Sequence, residues 1–327
     1  MNILGSTVIR QLAIVYFGGL FVALLAGGIL PLVAPLKASP ILPSASAFVT
    51  GAIIATMIVG ATGAALGHAR SWIWILAGAL LVRLAIAWLN WDVPMQVSSD
   101  SAAYRSIAHS LVEGGGLALR SEASIGFAMF PPGYSLALAL PMALGVPDCL
   151  ATYLVNGVAD LAAAWAVRAI AIELNAPTRA NLAASLYLLW PPSISGFPLS
   201  LKEGLAVMLT LNIMLAFLRC HKVMTIKEAV RLGLGTGALA LTLPAWIALT
   251  PMLGIAYLMS RGPVATAKLA LFSIPFALLV LGPWWVRNFI VFDRFVPLTT
   301  GAWLNLYFVV TNSYDKVDNL VHNGGAN

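Results

Sequence analysis

The sequence predicts an all-α, polytopic membrane protein of about nine transmembrane helices, with one amphipathic helix in a long outer loop. Three observations carry that prediction. Apolar residues make up 60% of the 327-residue chain and charged residues only 9%, against roughly 25% charged in a soluble domain. So few charges cannot cover a globule of this size, and a mean hydropathy of +0.91 agrees. The apolar residues gather into stretches near the length of about 20 that a helix needs to cross a bilayer core. Lysine and arginine are spread unevenly between alternate connections, which is how a membrane chain encodes its orientation.

Taken in order, spans are expected at 11–36, 44–67, 71–91, 151–171, 181–195, 203–219, 229–245, 246–260 and 268–285. The first is too long for the core of a signal peptide, and further spans follow, so it reads as an anchor. Several late spans are short and call for thinned lipid or loosely placed ends. The segment YSLALALPMALG, Tyr134 to Gly145, holds only 12 residues, with Pro141 inside. That length suits an interfacial or re-entrant piece.

Charge decides how the short segment is counted. If it does not cross and the N-terminus is cytoplasmic, ten Lys/Arg face the cytoplasm, among them Arg219, Lys222, Lys227 and Arg231, and seven face outward. If it crosses, the split becomes six inside and eleven outside. Basic residues are retained preferentially on the cytoplasmic side, so the first arrangement stands. The expectation is a protein integral to a bacterial inner or plasma membrane, N-terminus cytoplasmic and C-terminus outside. Nine of the twelve acidic residues then face outward, Asp100, Asp148 and Glu203 among them, alongside Arg105, Arg120, Lys202 and Arg287. Chemistry is expected on that face.

The longest polar excursion is the outer loop 92–132. Ser98, Ser99 and Asp100 are N-cap residues. Tyr104, Ile107, Ala108, Leu111 and Val112 recur at helical spacing, and Arg105, His109 and Glu113 share another face. Gly114, Gly115 and Gly116 end the helix. This reads as an amphipathic helix lying on the outer membrane surface, with Asp100 at the boundary between water and lipid.

Other features have plainer readings. Arg83 and Asp160 lie within spans, where charges are costly and tend to pair across helices. The glycines of GLGTG, Gly233 to Gly237, lie in an apolar helix with no preceding strand and read as close helix packing. Tyr134, Trp284 and Trp285 read as interfacial belt anchors. Cys149 and Cys220 fall on opposite sides of the membrane. No His/Cys/Asp spacing indicates a metal site, no cofactor is expected, and no basic run interleaved with aromatics points to nucleic acid.

A set of motifs resembles a known family. Asp100 and Tyr104 form D-x-x-x-Y after a span; Pro131, Pro132, Gly133 and Tyr134 form PPGY; Pro283, Trp284, Arg287 and Asn288 follow the last span, then Pro297, Gly301, Asn305 and Tyr307. Over about residues 71 to 310 the chain resembles the C-type (GT-C) membrane glycosyltransferases, in the branch holding protein O-mannosyltransferases and lipid A aminoarabinose transferases. The resemblance implies two N-terminal extra helices in 1–70, a seven-helix GT-C-type core in 71–286 that includes the catalytic-type loop 92–132, and an outer C-terminal segment 287–327.

It further implies inverting transfer of a sugar from a polyprenyl-phosphate-linked donor to a hydroxyl acceptor, with Asp100 as general base. Arg287, Arg105 and Lys202 would hold the donor phosphate. Tyr104, Pro131, Pro132, Tyr134, Glu203, Asn288 and Asn305 would line the substrate pocket. The chemistry fits these residue types: a hydroxyl needs a positioned base, and cationic side chains match phosphate oxygens. Relatives often carry a second acidic residue after the catalytic Asp, where this chain has Ser101; some carry a Lys before the proline–Tyr stretch, where it has Met129 and Phe130. The expected partners are the lipid-linked donor, membrane lipids and a hydroxyl acceptor. The alternatives are a flippase or transporter of lipid-linked sugars and a non-catalytic GT-C-like subunit.

Overall fold

The computed structural model describes residues 99–120, 125–188 and 190–300, with parts of a helix between residues 76 and 87. Within them the chain is helical apart from one short hairpin. Helix α1 is Ser99–Val112, followed by antiparallel strands β1 (Ala118–Arg120) and β2 (Ile125–Phe127), with Leu119 opposite Gly126. Then come α2 (Pro132–Ala143), α3 (Asp148–Glu173), α4 (Ala180–Leu188), α5 (Pro191–Gly196), α6 (Glu203–Lys222), α7 (Ile226–Thr242), α8 (Leu249–Arg261) and α9 (Pro263–Phe292).

Among the described residues, α3, α6 and α9, with 26, 20 and 30 residues, are long and apolar enough to cross a membrane. On that ground the chain is a helical membrane protein. The expected spans 11–36 and 44–67 lie outside the described residues, and 71–91 is described only in part.

Several expected spans are redrawn, each at a proline. The span expected at 181–195 is broken into α4 and α5. Trp190, before Pro191, is extended at φ −62°, ψ 118°, because the proline ring disfavours the helical region for its predecessor. The spans expected at 229–245 and 246–260 meet at Leu243, which Pro244 holds at φ −141°, ψ 84°. A 3-10 turn, Pro244–Ala248, follows, so α8 is only 13 residues long. The last span begins earlier than expected and runs on to Phe292. Arg287 and Asn288, expected in an outer segment starting at 287, ride on this helix instead.

Small residues bring the helices together. In α7 a Cβ on Gly233 would lie 2.0 Å from the Ser273 carbonyl oxygen, and one on Gly237 would lie 2.8 Å from that of Ala277, both on α9. Gly235 faces the other way, 2.9 Å from Ile213 of α6. This is the packing expected of GLGTG. On α3, Ala163, Ala164 and Ala166 are fully buried.

The bundle has two polar ends. One gathers the C-termini of α3 and α6 with the start of α7, joined by Arg219–Glu173 at 3.0 Å, Lys222–Glu173 at 2.8 Å and Arg219–Glu228 at 3.6 Å. The other holds α1, α2, the starts of α3 and α6 and the ends of α7 and α9. Helix α2 starts against the end of α7, where a Cβ on Gly133 would meet Thr242 Oγ1 at 2.4 Å. It then feeds the start of α3, so this 12-residue helix leaves and returns at one end of the bundle.

Helix α1 departs from expectation in one respect. Its apolar face covers protein rather than lipid: Tyr104 and Ala108 are fully buried against Tyr134, Leu138 and Ala151. Its glycine stop is as expected. Gly114 has φ +80°, and Gly114 and Gly115 donate to the Leu111 and Ser110 carbonyls, the double closure of a Schellman motif.

Inside the bundle Arg83 and Asp160 pair at 2.7 Å, both buried. Arg83 also donates to the Ala79 and Leu188 carbonyls and to Ser193 Oγ, and Ser193 donates to Asp160. The intramembrane charges are paired across helices, as expected.

Candidate functional site

The site grows from a stripe on α3. Thr152 and Asn156 lie one turn apart, facing the segment that precedes α6. Asn156 Nδ2 donates to the Phe197 and Leu199 carbonyls, each at 2.9 Å, and its Oδ1 accepts the Tyr134 hydroxyl at 2.9 Å. Thr152 and Ser200 share a hydroxyl hydrogen bond of 2.7 Å, and the Ser200 N–H donates to Ser101 Oγ at 3.2 Å. These bonds tie α1, α2 and α3 to the chain at 197–200 and so fix Lys202, at the N-cap of α6.

Lys202 Nζ lies 3.7 Å from Asp100 Oδ2 and 3.7 Å from Glu203 Oε1. It also sits 5.3 Å from the ring centroid of Tyr104, a cation–π arrangement. The Lys202 side chain is 15% exposed and that of Asp100 46%, so the ammonium is the floor of the site and the carboxylate its open rim. The Tyr104 ring meets Phe130 and Tyr134 edge-on at 5.4 and 5.6 Å. Its hydroxyl is buried, with the Lys202 ammonium as its polar neighbour.

Burial pushes the Tyr104 hydroxyl up from its ordinary value, with Lys202 pulling against it. Burial alone would lower the Lys202 ammonium, but Tyr104, Glu203 and Asp100 outweigh it and hold it above its ordinary value. Tyr134 is pushed up by burial, with Asn156 and the nearby Arg105 charge opposing.

Asp100, Tyr104, Tyr134, Lys202 and Glu203, all expected in the site, are therefore brought together. Arg105 follows Tyr104 on α1 and is half-buried. PPGY is a helix junction. Pro131 is the extended N-cap, Pro132 opens α2 in a buried position, Gly133 permits the approach to α7, and Tyr134 is tied to Asn156.

Arg287 and Asn288 form a separate clamp. Arg287 donates to the Leu117 carbonyl at 2.7 Å and to Asn288 Oδ1 at 2.8 Å, and Asn288 donates to the Val296 carbonyl. The indoles of Trp284 and Trp285 donate to the Leu298 and Pro297 carbonyls. Trp284 and Tyr134, both expected as interfacial belt anchors, are buried in protein. Lys202 is thus the cation paired with Asp100 among the described residues. Asn305 lies outside the described residues.

A sequence reading centred on charges passes over Ser101, Thr152, Asn156 and Ser200. One signal was available: Thr152, Asn156 and Asp160 recur every fourth residue, a polar stripe along an apolar helix. Among the described residues no group of three or more His, Cys, Asp and Glu is placed to hold a metal ion. The arrangement offers a solvent-reachable base, an ammonium to hold an anion, and a second carboxylate. No family model, no curated protein and no solved structure matches the chain.

Proposed function

We propose that the chain is a membrane glycosyltransferase of the GT-C type, which moves a sugar from a polyprenyl-phosphate-linked donor to a hydroxyl acceptor. The observation that carries this reading is the half-open Asp100 carboxylate set 3.7 Å from the sunken Lys202 ammonium. In this reading Asp100 takes the proton of the acceptor hydroxyl as that oxygen attacks the anomeric carbon. The bond from that carbon to the phosphate oxygen breaks on the opposite face, and the prenyl phosphate leaves with the electron pair. Lys202 meets the growing negative charge, as a preorganised cation does best. Arg105, on the same helix, is a second cation for the phosphate, and Arg287 shapes the hairpin that borders the site. The motifs D-x-x-x-Y, PPGY and P-W-W-V-R-N support the same reading by resemblance.

The reading puts this end of the bundle outside the cell. The opposite end carries Arg219, Lys222, Lys227, Arg231 and Arg261, the charge bias of a cytoplasmic face. The N-terminus is then cytoplasmic, and the acceptor arrives from the periplasmic or extracellular side.

The test is transfer by the purified protein from a lipid-linked sugar. Asp100→Asn should abolish turnover while leaving donor binding intact, and Lys202→Gln should weaken donor binding. Wild-type turnover by Asp100→Asn would remove the carboxylate as base and the reading with it.

A further inference from the structure

With the apolar face of α1 taken up by protein, the free apolar face at this end of the bundle belongs to α2. From Pro131 to Pro147 the chain holds no charged residue. One side of α2, with Tyr134, Leu138 and Met142, is packed with Tyr104 and Ala108 of α1 and Ala151 of α3. The other side carries Leu136, Leu140 and Leu144 one turn apart, and Leu140 and Leu144 are 73% and 85% exposed. A helix that is apolar all round is buried on every side, and leucines exposed in line mark a surface that meets an apolar partner.

The start of α3 says which partner. Asp148, its first residue, meets His109 at 2.6 Å in a half-exposed polar pair that belongs in water. From Leu150 on, α3 exposes Leu154, Val158 and Trp165 along one face, and this helix is long enough to cross a membrane. The edge of the bilayer therefore falls in the first turn of α3. Leu144 precedes Asp148 by only four residues, so the leucine face of α2 begins at that same edge and continues the lipid-facing stripe of α3. A protein partner would be met by hydrogen-bonding groups as well as apolar ones. The face of α2, made of Leu136, Leu140, Ala143 and Leu144, offers no polar side chain.

We propose that α2 lies along the bilayer surface on the Asp100 side, with Leu136, Leu140 and Leu144 among the acyl chains of that leaflet. Apolar faces of helices in this position sit about 5–10 Å into the boundary between headgroups and chains. The opposite side of α2 supports Tyr104, so the helix is a sill between the leaflet and the candidate site. This placement does not depend on the transfer chemistry.

Nitroxide labels on single cysteines test it, in the full-length protein freed of Cys149 and Cys220 and reconstituted into vesicles of phosphatidylethanolamine and phosphatidylglycerol. Relaxation by dissolved oxygen, which concentrates in lipid, is compared with relaxation by a water-soluble nickel chelate. Labels at Leu140→Cys and Leu144→Cys should respond to oxygen and lose the nickel response that Glu113→Cys, on the exposed side of α1, displays. A nickel response at Leu140 equal to that at Glu113 puts the face in water and overturns the proposal. Loss of both responses overturns it too, because protein then covers the face. All three labels sit on exposed side chains, so folding is not at stake.

Discussion

Gly233→Ala is the sharpest test of the packing between α7 and α9. In an exposed helix the change would stabilise by about 1 kcal/mol, because alanine is the better helix former. Here the new Cβ would lie 2.0 Å from the Ser273 carbonyl oxygen and 2.9 Å from its carbon. A comfortable C···O approach is about 3.3 Å, so α9 must withdraw by about 1.3 Å along that line. The obstacle is backbone and cannot rotate aside. Withdrawal also loosens the contact at Gly237 one turn on, so the overpacking cost belongs at the upper end of about 1–3 kcal/mol. The net expectation is destabilisation by about 1–2 kcal/mol once the propensity gain of about 1 kcal/mol is subtracted. Gly282→Ala on α9 is the control, since a Cβ there meets nothing within 4 Å. It should be neutral or stabilising by up to about 1 kcal/mol. Unfolding by sodium dodecyl sulfate in mixed micelles reads both. A Gly233→Ala protein as stable as Gly282→Ala would refute the close approach.

Further outcomes follow from single groups. Asp160→Asn leaves the Arg83 guanidinium, 2% exposed, without its counter-charge and should cost about 3–5 kcal/mol in the same micelle assay; an Arg83→Met, Asp160→Met double variant should lose far less. Tyr134→Phe removes the 2.9 Å bond to Asn156 and should cost about 1 kcal/mol, read by thermal unfolding. Lys202 is held above its ordinary 10.5. The stability it contributes is complete below pH 10.5 and is lost as pH rises through the higher folded value. Alkaline titration of Lys202→Gln should lack that step, and an identical titration would count against the pairing. In a chain freed of Cys149 and Cys220, Thr225→Cys should label only from the cytoplasm and Gly115→Cys only from outside; the reverse pattern would invert the proposed orientation.

Much of the architecture is legible in the sequence where the signal is local. The lengths of α3 and α6, the glycine stop of α1 and the helix packing of GLGTG all follow from composition and spacing. The breaks at Trp190 and Leu243 were legible too, since each precedes a proline, but hydropathy counted over a window passes across a single extended residue. The burial of the α1 face was not legible. An apolar stripe is the same whether it covers lipid or Tyr134 and Leu138, and only tertiary contact distinguishes the two. Asp100, Tyr104 and Lys202 were singled out by type. Their meeting depends on Asn156 and Ser200, uncharged residues whose bonds go to backbone and hydroxyl groups 22 to 99 residues away.

The interruption between α4 and α5 constrains how the protein is made. The Leu188 carbonyl ends α4 and receives its proton donor from Arg83, 105 positions earlier in the chain. In hydrocarbon an unanswered carbonyl costs several kcal/mol. A nascent chain released into the bilayer segment by segment therefore cannot leave residues 180–196 alone in lipid. They must enter beside the helix that bears Arg83, which is made first and has to stay within reach of the insertion machinery until they emerge. Biogenesis of this protein is on that account a joint event of distant segments rather than a succession of independent insertions.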